Sequence, residues 1–115
     1  MKAKPVKLIN GQWVEVPKEE GTHVHLKFPL EFFMFQNRYI PYQLSGSHEG
    51  TGNWSWNGDA ESPTLIPSIL TQFTYGEEQI QHRCHSFVND GTIQFLSDCS
   101  HELVGQTCNL LEVEV

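Results

Sequence analysis

Turn dipeptides and prolines cut this 115-residue chain into short pieces, a pattern of many short strands and few helices. Nine glycines and six prolines are spread along it as punctuation. Asn10-Gly11 separates Val6 and Leu8 from Trp13, Val14 and Val16, which predicts a hairpin over residues 6–17. Thr22 to Phe28 alternates, with His23, His25 and Lys27 on one face and Val24, Leu26 and Phe28 on the other. The aromatic-rich stretch 30–44 reads as two strands turned at Asn37-Arg38, or as a short helix. Residues 45–53 have loop composition, and Trp54-Ser55-Trp56 runs as a strand into a turn at Asn57-Gly58-Asp59. Pro63 and Pro67 bracket a short apolar run, which predicts an edge segment or an irregular extended crossing. Ile69 to Tyr75 continues as a strand. The expected fold class is mainly β: a small single domain over residues 1–115, a mixed sheet or sandwich with several hairpins and at most one or two short helices.

His82 to Val88, Asn89-Asp90-Gly91 and Thr92 to Leu96 form a second hairpin, whose register matters. A three-residue loop with Gly91 in the left-handed conformation sets Phe87 opposite Ile93 and His85 opposite Phe95. A two-residue loop sets His85 opposite Leu96 and diagonal to Asp98. Hydrophobic matching favours the first register. Ser97 to Gly105 predicts one helical turn, capped by Ser97 or Asp98 and ended by Gly105. Leu110 to Val115 is a short alternating tail.

Seven basic residues stand against 14 acidic ones, a net charge of −7. That balance disfavours DNA, RNA and anionic membranes as partners. The longest apolar run, around Phe32 to Phe35, is far short of a membrane span. The lysines at the start are followed by no apolar segment of the signal-peptide kind, so the expected location is the cytoplasm. Three cysteines, Cys84, Cys99 and Cys108, cannot all pair within the chain, and a disulfide framework is not expected.

Chemically capable residues gather in two places: Pro63 to Ser68, and Cys84-His85 with Asp98-Cys99-Ser100-His101. Cys84, His85, Cys99 and His101 offer two thiolates and two imidazoles, the types that suit tetrahedral zinc. Their spacing is poor, because adjacent strand residues point to opposite faces and there is no Cys-x-x-Cys. A buried cysteine and a hydrogen-bonded histidine are the plain alternative. His23 and His25 share a face that could join such a site. A hydrolase instead needs a nucleophile, a base and an orienting carboxylate. Asp98 can serve as the carboxylate and His85 or His101 as the base. Ser62, Thr64, Ser68, Ser86 and Ser100 are all available hydroxyls, and Cys84 or Cys99 beside histidine is a thiol alternative. Spacing does not choose among them. Trp54 and Trp56 read as core aromatics, or as a ligand platform.

Trp54-x-Trp56-Asn57-Gly58-Asp59, Glu61-x-Pro63-Thr64-x-x-Pro67-Ser68-Ile69 and Cys84-His85-Ser86-Phe87-x-x-Asp90-Gly91-x-Ile93-Gln94-Phe95-Leu96-x-Asp98-Cys99-x-His101-x-Leu103-x-Gly105-Gln106-Thr107 resemble a family of small bacterial and phage proteins. Some of its members are mislabelled ammonia monooxygenase, and some accompany bacterial ubiquitin-like conjugation operons as peptidases. The resemblance spans about residues 54–107. It implies a serine-type peptidase that cuts at the C-terminus of a ubiquitin-like protein; no cofactor is expected, with zinc as the alternative. Ser68 is then the candidate nucleophile, His85 or His101 the base and Asp98 the orienting carboxylate. Many members have a Cys-Pro-Gly-Cys segment followed by His near the N-terminus. Here the corresponding stretch is His23-Val24-His25, without cysteine. The competing expectation is a non-enzymatic binding module of phage or bacterial origin, apo or stabilised by zinc on Cys84, His85, Cys99 and His101.

Overall fold

A computed structural model of the chain describes residues 1–29, 36–44, 54–75, 77, 80–100 and 103–113. These residues build one mixed nine-stranded sheet, and none of them forms a helix longer than an isolated residue. The strands are β1 (Ala3–Ile9), β2 (Gln12–Glu15), β3 (His23–Lys27), β4 (Asn37–Leu44), β5 (Trp54–Trp56), β6 (Leu65–Tyr75), β7 (Ile80–Asn89), β8 (Thr92–Phe95) and β9 (Thr107–Asn109). In space they follow the order β2-β1-β3-β4-β5-β6-β7-β8-β9. Only the β4–β5 pair is parallel; the other seven are antiparallel, as short connections dictate.

The alternating residues of β3 divide as the pattern requires. Val24, Leu26 and the following Phe28 are buried, while His23, His25 and Lys27 face outward and are half-buried. The sheet curls so that its two halves close over one core. That core joins Val24, Leu26, Phe28 and Ile40 from the first half to Trp56, Leu65, Ile69, Val88, Ile93 and Phe95 from the second. Segments outside the strands tie the closure. The Gly91 N–H donates to the Pro63 carbonyl at 2.9 Å, Leu110 N–H to Gly91 at 3.1 Å, and Leu111 N–H to Lys27 at 3.0 Å.

Four expectations need correction. Asn37-Arg38 does not turn the chain; both lie in β4, paired with Lys27 and Leu26. Of the two readings of residues 62–70, the sheet edge fails and the irregular extended segment is the one found. β6 is interior, between β5 and β7. It tolerates Pro67 because the β7 register slips between Leu65↔Val88 and Ile69↔Ser86, which leaves residues 66–68 without partners in β7. The single turn of helix over 97–105 does not form in the described residues. Residues 96–99 and 103–106 instead close two separate turns, Cys99 N–H to Leu96 O at 3.2 Å and Gln106 N–H to Leu103 O at 3.0 Å.

The second hairpin takes the other register. Asp90 and Gly91 both have positive φ, 51° and 79°, the backbone of a two-residue type I′ turn. Asn89 therefore pairs with Thr92, Val88 with Ile93 and Ser86 with Phe95. Apolar matching is still satisfied, but through Val88 rather than Phe87, which is left 45% exposed. The first hairpin turns in the same way, with Asn10 at φ 51° and Gly11 at φ 79°.

Candidate active site

The register of β7 decides which side chains meet. Cys84, Ser86 and Val88 point into the core. Arg83, His85 and Phe87 therefore point to the outer face. Leu70 pairs with His85, so Ser68, two residues earlier on β6, lies diagonal to it on the same face. Across β7, the backbone N–H of Leu96 donates to the His85 carbonyl at 2.9 Å, and the chain then turns Asp98 back towards the imidazole.

The result is a continuous run of hydrogen bonds. Ser68 Oγ lies 3.0 Å from His85 Nε2, and His85 Nδ1 lies 3.1 Å from Asp98 Oδ2. An ionised carboxylate can only accept. Nδ1 therefore carries the proton, and Nε2 is left as an acceptor facing the serine hydroxyl. Arg83 Nε also donates to Asp98 Oδ2 at 2.9 Å, and a second guanidinium nitrogen stands at 2.9 Å from the same oxygen. Burial by itself would raise the Asp98 carboxyl. The hydrogen bonds from His85 and Arg83 outweigh it and hold the group below the ordinary carboxylate range.

The backbone around these groups is fixed from several sides. Trp54 Nε1 donates to the Ser68 carbonyl at 3.2 Å. The His85 N–H donates to Cys99 Sγ at 3.2 Å, and that thiol donates back to the His85 carbonyl at 3.1 Å. Ser100 Oγ accepts from the Arg83 N–H at 2.7 Å, and the Ser100 N–H donates to the Arg83 carbonyl at 2.9 Å. The turn that carries Asp98 is thus sewn to β7 at two successive outward residues.

The other hydroxyls are placed elsewhere. Ser86 is fully buried with its hydroxyl unpaired. Ser100 is held on the Arg83 backbone, and Thr64 is spent on Asn89 and on the Asp90 N–H. Ser62 lies in the Asn57–Ser62 turn, where its N–H donates to Asp59. His101 lies outside the described residues. The thiols do not stand beside the imidazole: Cys84 and Cys99 are buried on the inner side of β7. Burial and the neighbouring Cys99 push the Cys84 thiol up to about 12, which disfavours the thiolate.

Cys84, His85 and Cys99 accordingly do not fit a tetrahedral zinc, since the two thiols and the imidazole occupy opposite faces of the sheet. No three His, Cys, Asp or Glu side chains among the described residues are grouped to hold a metal ion. His23 and His25 belong to an aromatic cluster. His25 stacks on Tyr39 at 4.5 Å, Tyr39 on Trp13 at 4.6 Å, and Trp13 meets His23 edge-on at 4.8 Å. Burial pushes both imidazoles down.

A cleft of about 310 Å³ opens over β6 and β7, and its lining residues Ile66 and Phe87 stand two positions along the chain from Ser68 and His85. Thr64, Ile66, Phe87, Asn89 and Gln94 line it, and none of them is charged. Ile66 is 61% exposed and Phe87 45%, so its walls present apolar surface to solvent. Sequence reasoning passed over Arg83 and the Ser68-holding role of Trp54. The alternation of β7 places Arg83 on the His85 face, whereas the Trp54 bond depends on the bulge and leaves no pattern in the sequence.

The family model of the bacterial ubiquitination-like system serine protease BubE matches residues 36–96. No curated protein and no solved structure matches the chain. The matched stretch runs from β4 through β8, carries Ser68 and His85, and stops short of Asp98. It covers just over half of the sequence, and the chain belongs to the BubE family of bacterial ubiquitination-like system serine proteases.

Proposed function

We propose that the protein is a serine-type hydrolase that cuts an amide or ester bond at the C-terminus of a ubiquitin-like protein. Ser68 is the nucleophile, His85 the base and Asp98 the group that orients the imidazole. The observation that carries this reading is the hydrogen-bonded run from Ser68 Oγ through both nitrogens of His85 to Asp98 Oδ2, at 3.0 and 3.1 Å.

In this mechanism Ser68 Oγ attacks the carbonyl carbon while its proton passes to His85 Nε2. Asp98 stabilises the imidazolium so formed. Backbone N–H groups stabilise the oxyanion. His85 then gives the proton to the leaving amine or alcohol as the carbon–nitrogen or carbon–oxygen bond breaks. Water attacks the acyl-serine, its proton goes to Nε2, and Ser68 Oγ recovers that proton as the acid leaves. The cytoplasm is the compartment proposed for this reaction. The apolar cleft walled by Ile66 and Phe87 takes a side chain of the peptide being cut.

A ubiquitin-like protein of a bacterial conjugation system, extended at its C-terminus by a short peptide, tests this reading. The wild type is expected to release the extension, seen as one mass change, and Ser68→Ala to leave it intact. Equal release by Ser68→Ala would remove Ser68 from the mechanism. An untouched fusion would reject the ubiquitin-like substrate.

A further inference from the structure

The hydrogen-bonded run does not end at Asp98. Arg83 donates to Asp98 Oδ2 through Nε at 2.9 Å, with a second guanidinium nitrogen 2.9 Å from the same atom. The third guanidinium nitrogen donates to Gln72 Oε1 on β6 at 3.0 Å. Gln72 pairs with Arg83 across β6 and β7, so it shares the outer face. The guanidinium is thereby held between a neutral acceptor on one strand and the carboxylate that receives His85 Nδ1–H.

We propose that Arg83, braced by Gln72, is a positioning residue of the Ser68–His85–Asp98 site: its planar fork fixes the Asp98 carboxylate so that Oδ2 faces His85 Nδ1. This rests on the function proposed above and extends the site from three residues to five. Asp98 needs such a brace. It is two-fifths exposed and sits in a turn rather than on a strand, so apart from a bond from its own backbone N–H the sheet does not hold the carboxylate. Arginine suits the task because a rigid fork fixes direction, whereas an ammonium supplies charge at a single point. The side chain is separable from the fold. The turn at 97–100 is sewn to β7 by the Arg83 backbone N–H and carbonyl, which any residue at this position provides.

Labelling of Ser68 by a fluorophosphonate probe, followed by intact mass, separates binding of the probe from the chemical step. Imidazole ¹⁵N spectra of the same proteins report which His85 nitrogen carries the proton. Arg83→Gln is expected to slow the maximal labelling rate about tenfold or more at unchanged probe affinity, the size of effect a small misplacement produces. It is also expected to raise the share of the Nε2–H tautomer of His85. Arg83→Lys is expected to recover part of the rate, because it keeps the cation and loses the fork. Wild-type rate and tautomer in Arg83→Gln would overturn the proposal while leaving the three-residue reading intact. Equal losses in both variants with an unchanged tautomer would also overturn it, by reducing Arg83 to a structural role. A wild type that the probe does not label, with the Nδ1–H tautomer in place, would overturn the serine mechanism itself and this proposal with it.

Discussion

Asp98 concentrates the charge of the site on one oxygen, which receives hydrogen bonds from His85 and Arg83. Asp98→Asn keeps the shape but offers an amide that can donate to Nδ1 and so favours the wrong tautomer. The loss expected in labelling or cleavage is on the order of 10³-fold or more, with the fold retained by circular dichroism. The same carboxyl gives a pH signature. Its folded-state value is depressed, so its contribution to stability is complete above the ordinary carboxylate value, about 4, and is lost as pH falls through the lower folded value. Urea midpoints of wild type and Asp98→Asn should therefore differ by a constant amount above the ordinary carboxylate range and converge as pH falls through the lower folded value. A gap that widens on acidification would contradict the assignment. Residue types alone offered five hydroxyls and two histidines. Direction, which the sequence does not carry, separates Ser68 from Ser86 and Ser100.

At the scale of elements, the β7–β8 hairpin does the selecting. A two-residue turn at Asp90-Gly91 sets the register that lets Leu96 hold the His85 carbonyl and brings Asp98 round to the imidazole. The turn was legible as a turn, but Asn-Asp-Gly is compatible with two loop lengths. Apolar matching picked the wrong one because Phe87 looks like a core residue and is not. Its exposure makes sense beside the cleft. Gly91 has φ 79°, and a Cβ there would stand 3.4 Å from the Glu61 carbonyl oxygen. Gly91→Ala is expected to cost about 1–2 kcal/mol in urea denaturation, from the left-handed backbone alone. The bulge in β6 was legible only as an irregularity at Pro67. A proline inside an interior strand is counter to pattern, and it is accommodated because the ladder with β7 skips residues 66–68. The Ser97–Gly105 stretch misled for a different reason. Its cap-like Asp98 spends its side chain on His85 and Arg83, and the Ser100 N–H goes to the Arg83 carbonyl.

At the scale of the whole molecule, closure of the sheet over one core makes the outer face of β6 and β7 a firm platform. Phe28, from the first half of the chain, and Phe95, from the second, are each 1% exposed in that core. Phe95→Ala is expected to cost about 3–5 kcal/mol by urea denaturation. The cleft belongs to the opposite, outer face. Phe87→Asp should leave stability within about 0.5 kcal/mol, as an exposed substitution does. It should raise KM for a peptide with an apolar residue at the cut, with kcat changed far less. Unaltered KM would remove the cleft from substrate recognition. The mainly β class and the first hairpin could be read from alternation and turn residues. The curl of the sheet could not, since it depends on pairings between segments far apart in sequence.

The claim on which all of this depends is that Ser68 is activated by His85. Incubation with a fluorophosphonate probe, followed by intact mass and peptide mapping, tests it most directly. One adduct per chain is expected, on Ser68, absent in Ser68→Ala and strongly slowed in His85→Ala. An adduct on another residue, or a Ser68 adduct that forms as fast in His85→Ala as in the wild type, would contradict it.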